Sequence, residues 1–135
     1  MSDSFINQQW TVAEHPVEDL DLHHFAYREA EVGQPADGEM LLRTHYLNLA
    51  PVMRMYMMKD GAGESTESLL NIGDVIHGRG VAEVVASRHP EFSAGDFVHG
   101  QIGWQTYKIS RASEQEKFIR MNLIFLWRFL LVFLS

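Results

Sequence analysis

Cysteine is absent from these 135 residues, and that absence removes more chemistry than any other feature of the sequence. No disulfide can staple the fold, no thiolate can act as a nucleophile, and zinc sites built on cysteine ligands are excluded. Cationic residues are also scarce: 11 Lys and Arg stand against 18 Asp and Glu, a formal net charge of −7. The imbalance is uneven, with seven against sixteen over residues 1–110 and four against two over 111–135. An acidic body repels a phosphate backbone, so nucleic acid is excluded as a partner. The N-terminus lacks the basic and apolar regions of a secretory signal, since Met1-Ser2-Asp3-Ser4 carries an acid and no apolar run follows. A cytoplasmic location is the expectation.

What is present is ordinary for a soluble protein: 46% hydrophobic and 21% charged residues, enough for one domain with a modest core. Local patterning is of strand type almost throughout. Residues 1–8 read as a frayed arm, 10–13 as a first strand, 25–31 as a second and 39–48 as a third, with a Pro- and Asp-Gly-containing turn at 34–38. Over 76–110, two alternating runs at 81–86 and 104–109 flank the turn-forming HPEFSAGD of 89–96, which predicts a β-meander. One or two helical turns are expected over 51–58, opened by Pro51 and carrying Met53, Met55, Met57 and Met58, followed by a mobile loop over 59–70. Those methionines either line an adaptable pocket or plug the end of the fold. Short strands with turns every ~8 to 12 residues predict a mainly β, barrel-like domain, with Trp10, Leu41, Val81, Val84, Phe97, Val98, Trp104 and Tyr107 in its core.

The seven histidines, at 15, 23, 24, 45, 77, 89 and 99, include no pair at the helical spacing of metal ligands. They read as loop and surface residues, so no metal site is expected. Gly78-Arg79-Gly80 begins a G-x-G pattern, but position 83 is Glu83 and strand rather than helix follows. A dinucleotide fingerprint needs a helix N-terminus at the pyrophosphate. The glycines therefore predict a bulge or a place where another backbone passes close.

Five blocks carry a family resemblance: GEMLLRT at 38–44, YLNLAPVMR at 46–54, VAEVVAS at 81–87, AGDFVHG at 94–100 and GWQTYKIS at 103–110. In order and spacing they resemble the N-terminal, GroES-like domain of the zinc-independent medium-chain dehydrogenase/reductases. Within these the chain is most similar to the NADP-dependent alkenal and enone reductases, the group of the prostaglandin and curcumin reductases. The resemblance implies a partly open GroES-like β-barrel over 9–110 that supplies a wall of the substrate pocket. It also implies that NADP is bound by a separate Rossmann domain, through which the family commonly dimerises. That domain is absent from these residues, so no cofactor is expected to bind this chain alone. The substrate class so implied is a small-molecule enone or alkenal. The substrate-pocket candidates are Val52, Met53, Arg54, Arg79 and Trp104, and no catalytic residue is assigned. Val52 stands where the family signature DPYMR has a tyrosine, and Ala50 where it has the aspartate, while Arg54 matches. Arg79, in the Gly-rich segment beside the family's pocket, could meet a carboxylated substrate or form a surface salt bridge.

Residues 118–134, FIRMNLIFLWRFLLVFL, depart from the family pattern: fourteen of seventeen are apolar and four of the eight Phe lie there. As a membrane span the stretch covers only about 25 Å of a ~30 Å hydrocarbon core, and Arg128 would cost roughly 2.5 to 3.5 kcal/mol. As an amphipathic helix it places Arg120, Asn122 and Arg128 on different sides. The remaining explanation is a truncated or frame-shifted reading of a longer gene, giving an atypical, apolar, helical tail over 111–135. Three functions follow as expectations: the substrate-side domain of a double-bond reductase, not catalytic alone; a non-catalytic barrel acting as an interaction or regulatory module; and a tail-anchored peripheral protein, for which membrane association is the least favoured reading.

Overall fold

Seven strands arise where β-branched, aromatic and alternating residues cluster, in a computed structural model that describes residues 4–17, 19–49, 57–58, 70–114 and 116–121. Strands β1 (Phe5–Val12) and β2 (Phe25–Val32) pair antiparallel along their whole length. A single 3-10 turn, Leu22–His24, leads into β2, with the Asp21 carboxylate accepting from the Leu22 N–H at 2.6 Å. The remaining strands, β3 (Met40–Leu47), β4 (Arg79–Ser87), β5 (Phe97–Gln101), β6 (Tyr107–Ser110) and β7 (Ile119–Met121), form one antiparallel sheet of order β6-β3-β4-β5-β7. The architecture is mainly β, as expected, and the two sheets do not close into a continuous cylinder. Among the described residues no helix is long and apolar enough to cross a membrane.

Three expectations change here. The chain over 76–110 is not a meander, because β6 lies beside β3 at the opposite edge from β5. The redirection happens at Gly103, whose φ of 87° is left-handed and whose N–H donates to the Gly78 carbonyl. Residues 5–8, expected in a frayed arm, belong to β1 because polar groups on that segment are tied into the larger sheet. Ile119–Met121, expected to be helical, pair with β5 as β7. The rest of the apolar stretch, from 122 on, lies outside the described residues, as do positions 51–56 of the helix expected over 51–58 and positions 59–69 of the loop expected over 59–70.

The phase of β1 is the largest surprise. Asn7, Gln9 and Thr11 point inward and are buried, whereas Trp10, expected in the core, is 45% exposed on the other face. Buried amides cost free energy unless every group is paired, and here they are. Asn7 Oδ1 accepts from the Thr106 and Tyr107 N–H groups at 3.1 and 3.0 Å, while Asn7 Nδ2 and Gln9 Nε2 both donate to Gln105 Oε1 at 2.9 and 3.0 Å. Gln105 Nε2 donates in turn to the Ile102 carbonyl at 2.7 Å, and Arg28 Nε donates to Gln9 Oε1 at 2.9 Å. The main chain reinforces this clasp: Trp10 N–H to the Trp104 carbonyl, Thr106 N–H to the Gln8 carbonyl, and Thr44 N–H to the Thr106 carbonyl. Residues 104–106 thus bridge the two sheets.

Apolar residues fill two clusters. The larger joins Met40, Leu42, Ala82, Val84, Phe92, Val98 and Ile102, with Leu47, Ala112 and Phe118 packed against it. The smaller joins Val12, Met57, Leu70 and Ile76, with Phe25 and Trp104 against it. Of the expected core, Leu41, Val81, Val84 and Val98 are fully buried; Phe97, Trp104 and Tyr107 are only partly so. The last two use their rings at the margin, Tyr107 stacking on Phe5 with centroids 4.9 Å apart and Trp104 on Phe25 at 5.9 Å. Val84→Asp places an unpaired charge in the larger cluster, and a loss on the order of 4 kcal/mol is expected. Thermal denaturation checks this, and an unchanged melting temperature would show the strand face to be misassigned.

After β6 the chain crosses back toward β5 around one acid. Glu116 Oε2 meets Lys108 Nζ at 2.7 Å and accepts from Ser110 Oγ at 2.8 Å, and Lys108 Nζ also donates to the Gln101 carbonyl at 2.7 Å. Burial alone would raise the Glu116 pKa, but the hydrogen bond and charge of Lys108, with the bonds from Ser110 and Ser113, together hold it below the usual carboxylate range. A folded-state pKa below the unfolded one means that Glu116 stabilises the fold above the unfolded value, and that this contribution is lost as pH falls through the folded value. Melting temperature measured down through the carboxylate range should therefore drop more steeply for the native chain than for Glu116→Gln. Parallel curves would remove Glu116 from the acid response.

Candidate functional site

Of the pocket candidates, Val52, Met53 and Arg54 lie outside the described residues, so the site is built from Arg79, Trp104 and their surroundings. Trp104 sits in the turn after β5, its N–H donating to the Ile76 carbonyl and its carbonyl accepting from Trp10. One face of the indole stacks on Phe25 with planes 10° apart. Its pyrrole edge lies over Gly78, and its N–H is buried with no hydrogen-bond partner among the described residues. Met57, from the methionine-rich stretch, is 2% exposed in the same cluster, and its carbonyl lies 2.7 Å from His15 Nδ1.

Arg79 opens β4 opposite Gln101, its carbonyl accepting from the Asn48 N–H at 2.8 Å. Its charge acts on His99, whose pKa is lowered first by burial and then by Arg79. The fold thus brings Trp104 and Met57 into one apolar cluster that does not include Arg79.

The two glycines of the G-x-G pattern are both spent on packing. A Cβ on Gly78 would lie 2.9 Å from Trp104 Cδ1 and 3.3 Å from Leu47 Cδ2. One on Gly80 would lie 1.9 Å from the Tyr46 carbonyl oxygen, at the register shift between Thr44 and Tyr46. The Gly78 N–H and carbonyl are also occupied, donating to Gln101 Oε1 at 2.6 Å and accepting from Ile102 and Gly103. A pyrophosphate needs free N–H groups at a helix N-terminus, and the segment continues into β4 instead. The Gly78–Gly80 segment does not fit a dinucleotide pyrophosphate.

Beside Trp104 the surface opens into a groove of about 300 Å³ whose walls include Trp10, Tyr27, Leu47 and Trp104, with Thr44 and Thr106 between them. Sequence reasoning missed Tyr27 and assigned Trp10 to the interior. A signal existed in β2, where Tyr27 shares its strand face with Glu29 and Glu31, the charged phase of FAYREAEV.

Residues 8–118 match the family described as the N-terminal domain of oxidoreductase. The chain belongs to this family. It is 38% identical over 111 residues to the NADPH-dependent curcumin reductase of Escherichia coli (strain K12), a match covering 82% of this chain and 31% of that protein. It is 34% identical over 110 residues to prostaglandin reductase 1 of Bos taurus, covering 82% and 30% respectively. The crystal structure of CurA from Vibrio vulnificus superposes with a TM-score of 0.74 at 35% identity, covering 84% of this chain and 32% of that one. CurA has also been solved in complex with NADPH, at a TM-score of 0.72. As an oxidoreductase N-terminal domain the chain spans about a third of the length of the relatives it matches.

The close approaches at the two glycines make a graded prediction. In Gly80→Ala the new methyl meets backbone, which cannot swing aside, and a loss at or above the ~1 to 3 kcal/mol typical of overpacking is expected. In Gly78→Ala it meets a side chain, so a smaller loss with a shifted near-ultraviolet dichroism of Trp104 is expected. Chemical denaturation ranks the two, and the reverse ranking would contradict the pairing of β3 with β4.

Proposed function

We propose that this chain is the substrate-side domain of an NADP-dependent reductase of conjugated double bonds, acting on an enone or alkenal and not catalytic alone. The observation that carries the reading is the family match over 8–118, with identities of 34% and 38% to reductases named for prostaglandins and curcumin. The geometry supplies a suitable wall: Trp104, fixed between Phe25 and Gly78, is a rigid apolar surface beside a groove. A flat conjugated substrate can lie against such a surface, which restricts its orientation toward a reductant on the open side.

NADP would be held by sequence outside the described residues, and its nicotinamide would supply the hydride. Residues of this chain would orient the substrate and exclude water. Zinc independence and a cytoplasmic location belong to the same proposal, the former supported by the cysteine-free sequence.

Exchange of domains tests it. Replacing the matched N-terminal third of the Escherichia coli curcumin reductase with residues 8–118 should give a chimera that reduces an alkenal with NADPH, whereas the chain alone should show no saturable NADPH binding at low micromolar concentration by fluorescence titration. In the chimera, Trp104→Ala should lower kcat/KM by about tenfold, ~1.4 kcal/mol, with NADPH affinity unchanged. A folded chimera that binds NADPH yet reduces neither enone nor alkenal would sink the proposal.

A further inference from the structure

The face of the β1–β2 hairpin opposite the buried amides holds two aromatics that core packing does not explain. Trp10 and Tyr27 are directly opposed across the strands, their ring centroids 5.4 Å apart and their planes tilted by 60°. They are 45% and 49% exposed, although the next pair on that face, Val12 and Phe25, is covered by the smaller apolar cluster. With Trp104 and Leu47 they form the groove, so three π systems line one small space. Its hydroxyls are already engaged: Thr44 Oγ1 donates to the Gln105 carbonyl, and Thr106 Oγ1 accepts from the Gln8 N–H. The Gln8 side chain, also in the wall, hydrogen-bonds with Tyr27, so few free polar groups stand beside the three rings.

Charge points to one class of ligand. Among the described residues no Lys or Arg lines the groove. The Tyr27 hydroxyl donates to Glu29 Oε1 at 2.7 Å, and Glu31 lies one pair further along the same face. That bond, together with some desolvation and the Glu29 charge, raises the Tyr27 pKa and keeps the phenol in its neutral, donating form. Donation to a carboxylate enriches the ring in electrons, and the negative faces of Trp and Tyr attract cations.

We propose that the groove is a binding site for a small alkylated ammonium group, such as a trimethylammonium, seated against Trp10, Tyr27 and Trp104. Glu29 supplies a supporting field. An alkylated ammonium has no N–H to satisfy, so it suits a space whose acceptors are engaged, and its apolar methyls match the apolar walls. The acidic excess over 1–110 attracts such cations at longer range. This inference does not rest on the reductase reading.

The test titrates the full chain with choline at constant ionic strength, following the Trp10 indole N–H signal by NMR. The control is the neutral carbon isostere of choline, in which a tert-butyl group replaces trimethylammonium. Saturable binding of choline in the millimolar range is expected, with the isostere about tenfold weaker, equivalent to ~1.4 kcal/mol. Tyr27→Leu, which keeps apolar bulk but removes the π face, should abolish the difference while circular dichroism stays native, and Glu29→Gln should weaken binding and flatten its salt dependence. Phosphatidylcholine vesicles form a second arm: co-sedimentation assigns the group to a lipid headgroup, and its absence, with choline still bound, to a free small molecule. Equal affinity for choline and its isostere, or choline binding undiminished in Tyr27→Leu, would overturn the cation site.

Discussion

The fold depends on a clasp of three carboxamides, Asn7, Gln9 and Gln105, which joins strand β1 to the segment leaving β5. Asn7 and Gln105 are 98 residues apart, so their bond closes nearly the whole described chain. Closing so long a loop costs entropy that grows only slowly with its length, whereas each paired amide avoids a desolvation penalty of about 1 to 3 kcal/mol. Neighbouring main-chain bonds from Trp10, Thr44 and Thr106 share the same few residues, so pairing is cooperative. Without the clasp, β1 and β2 would be a two-stranded ribbon, which is marginal in water.

The same segment that ties the sheets together also presents the functional wall. Gln105 and Thr106 hold the chain on either side, and Trp104 precedes them in the turn that Gly103 redirects. Gly78 then lets the indole lie directly against the main chain just before β4, and Phe25 stacks on it from the hairpin. The position of Trp104 therefore depends on β1, β2 and the entry to β4 together. A wall built from three separate parts of the chain is rigid because moving it breaks all three sets of contacts.

Ion pairs divide by environment. Arg43 and His45 reach Glu83 at 3.0 and 3.1 Å on the partly exposed face of β3 and β4, where screening leaves such pairs little weight. Lys108 and Glu116 are less exposed, are bonded further to the Gln101 carbonyl and to Ser110 respectively, and hold the crossing chain where Phe118 rests on Gly100. Glu116 is therefore a structural residue, and the region after β6 is part of the sheet as far as Met121.

Much of the fold was legible in local pattern. The strands at 25–32, 40–47 and 79–87 were readable because β-branched and aromatic runs ended at Pro and Gly turns, and the burial of Leu41, Val81, Val84 and Val98 followed. The glycines at 78 and 80 were readable as places of close approach, because strand rather than helix follows them. Family membership was readable too, in blocks that survive as contiguous sequence. By itself, then, the sequence determined strand content, the close-packing glycines and ancestry, since each is written in neighbouring residues. Only the tertiary structure decided which face of β1 points inward, that β6 crosses to β3, and that Trp10, Tyr27 and Trp104 share one groove. The physical reason is that those outcomes turn on partners tens of residues away: a buried amide is as acceptable as an apolar side chain once Gln105 is there to pair with it.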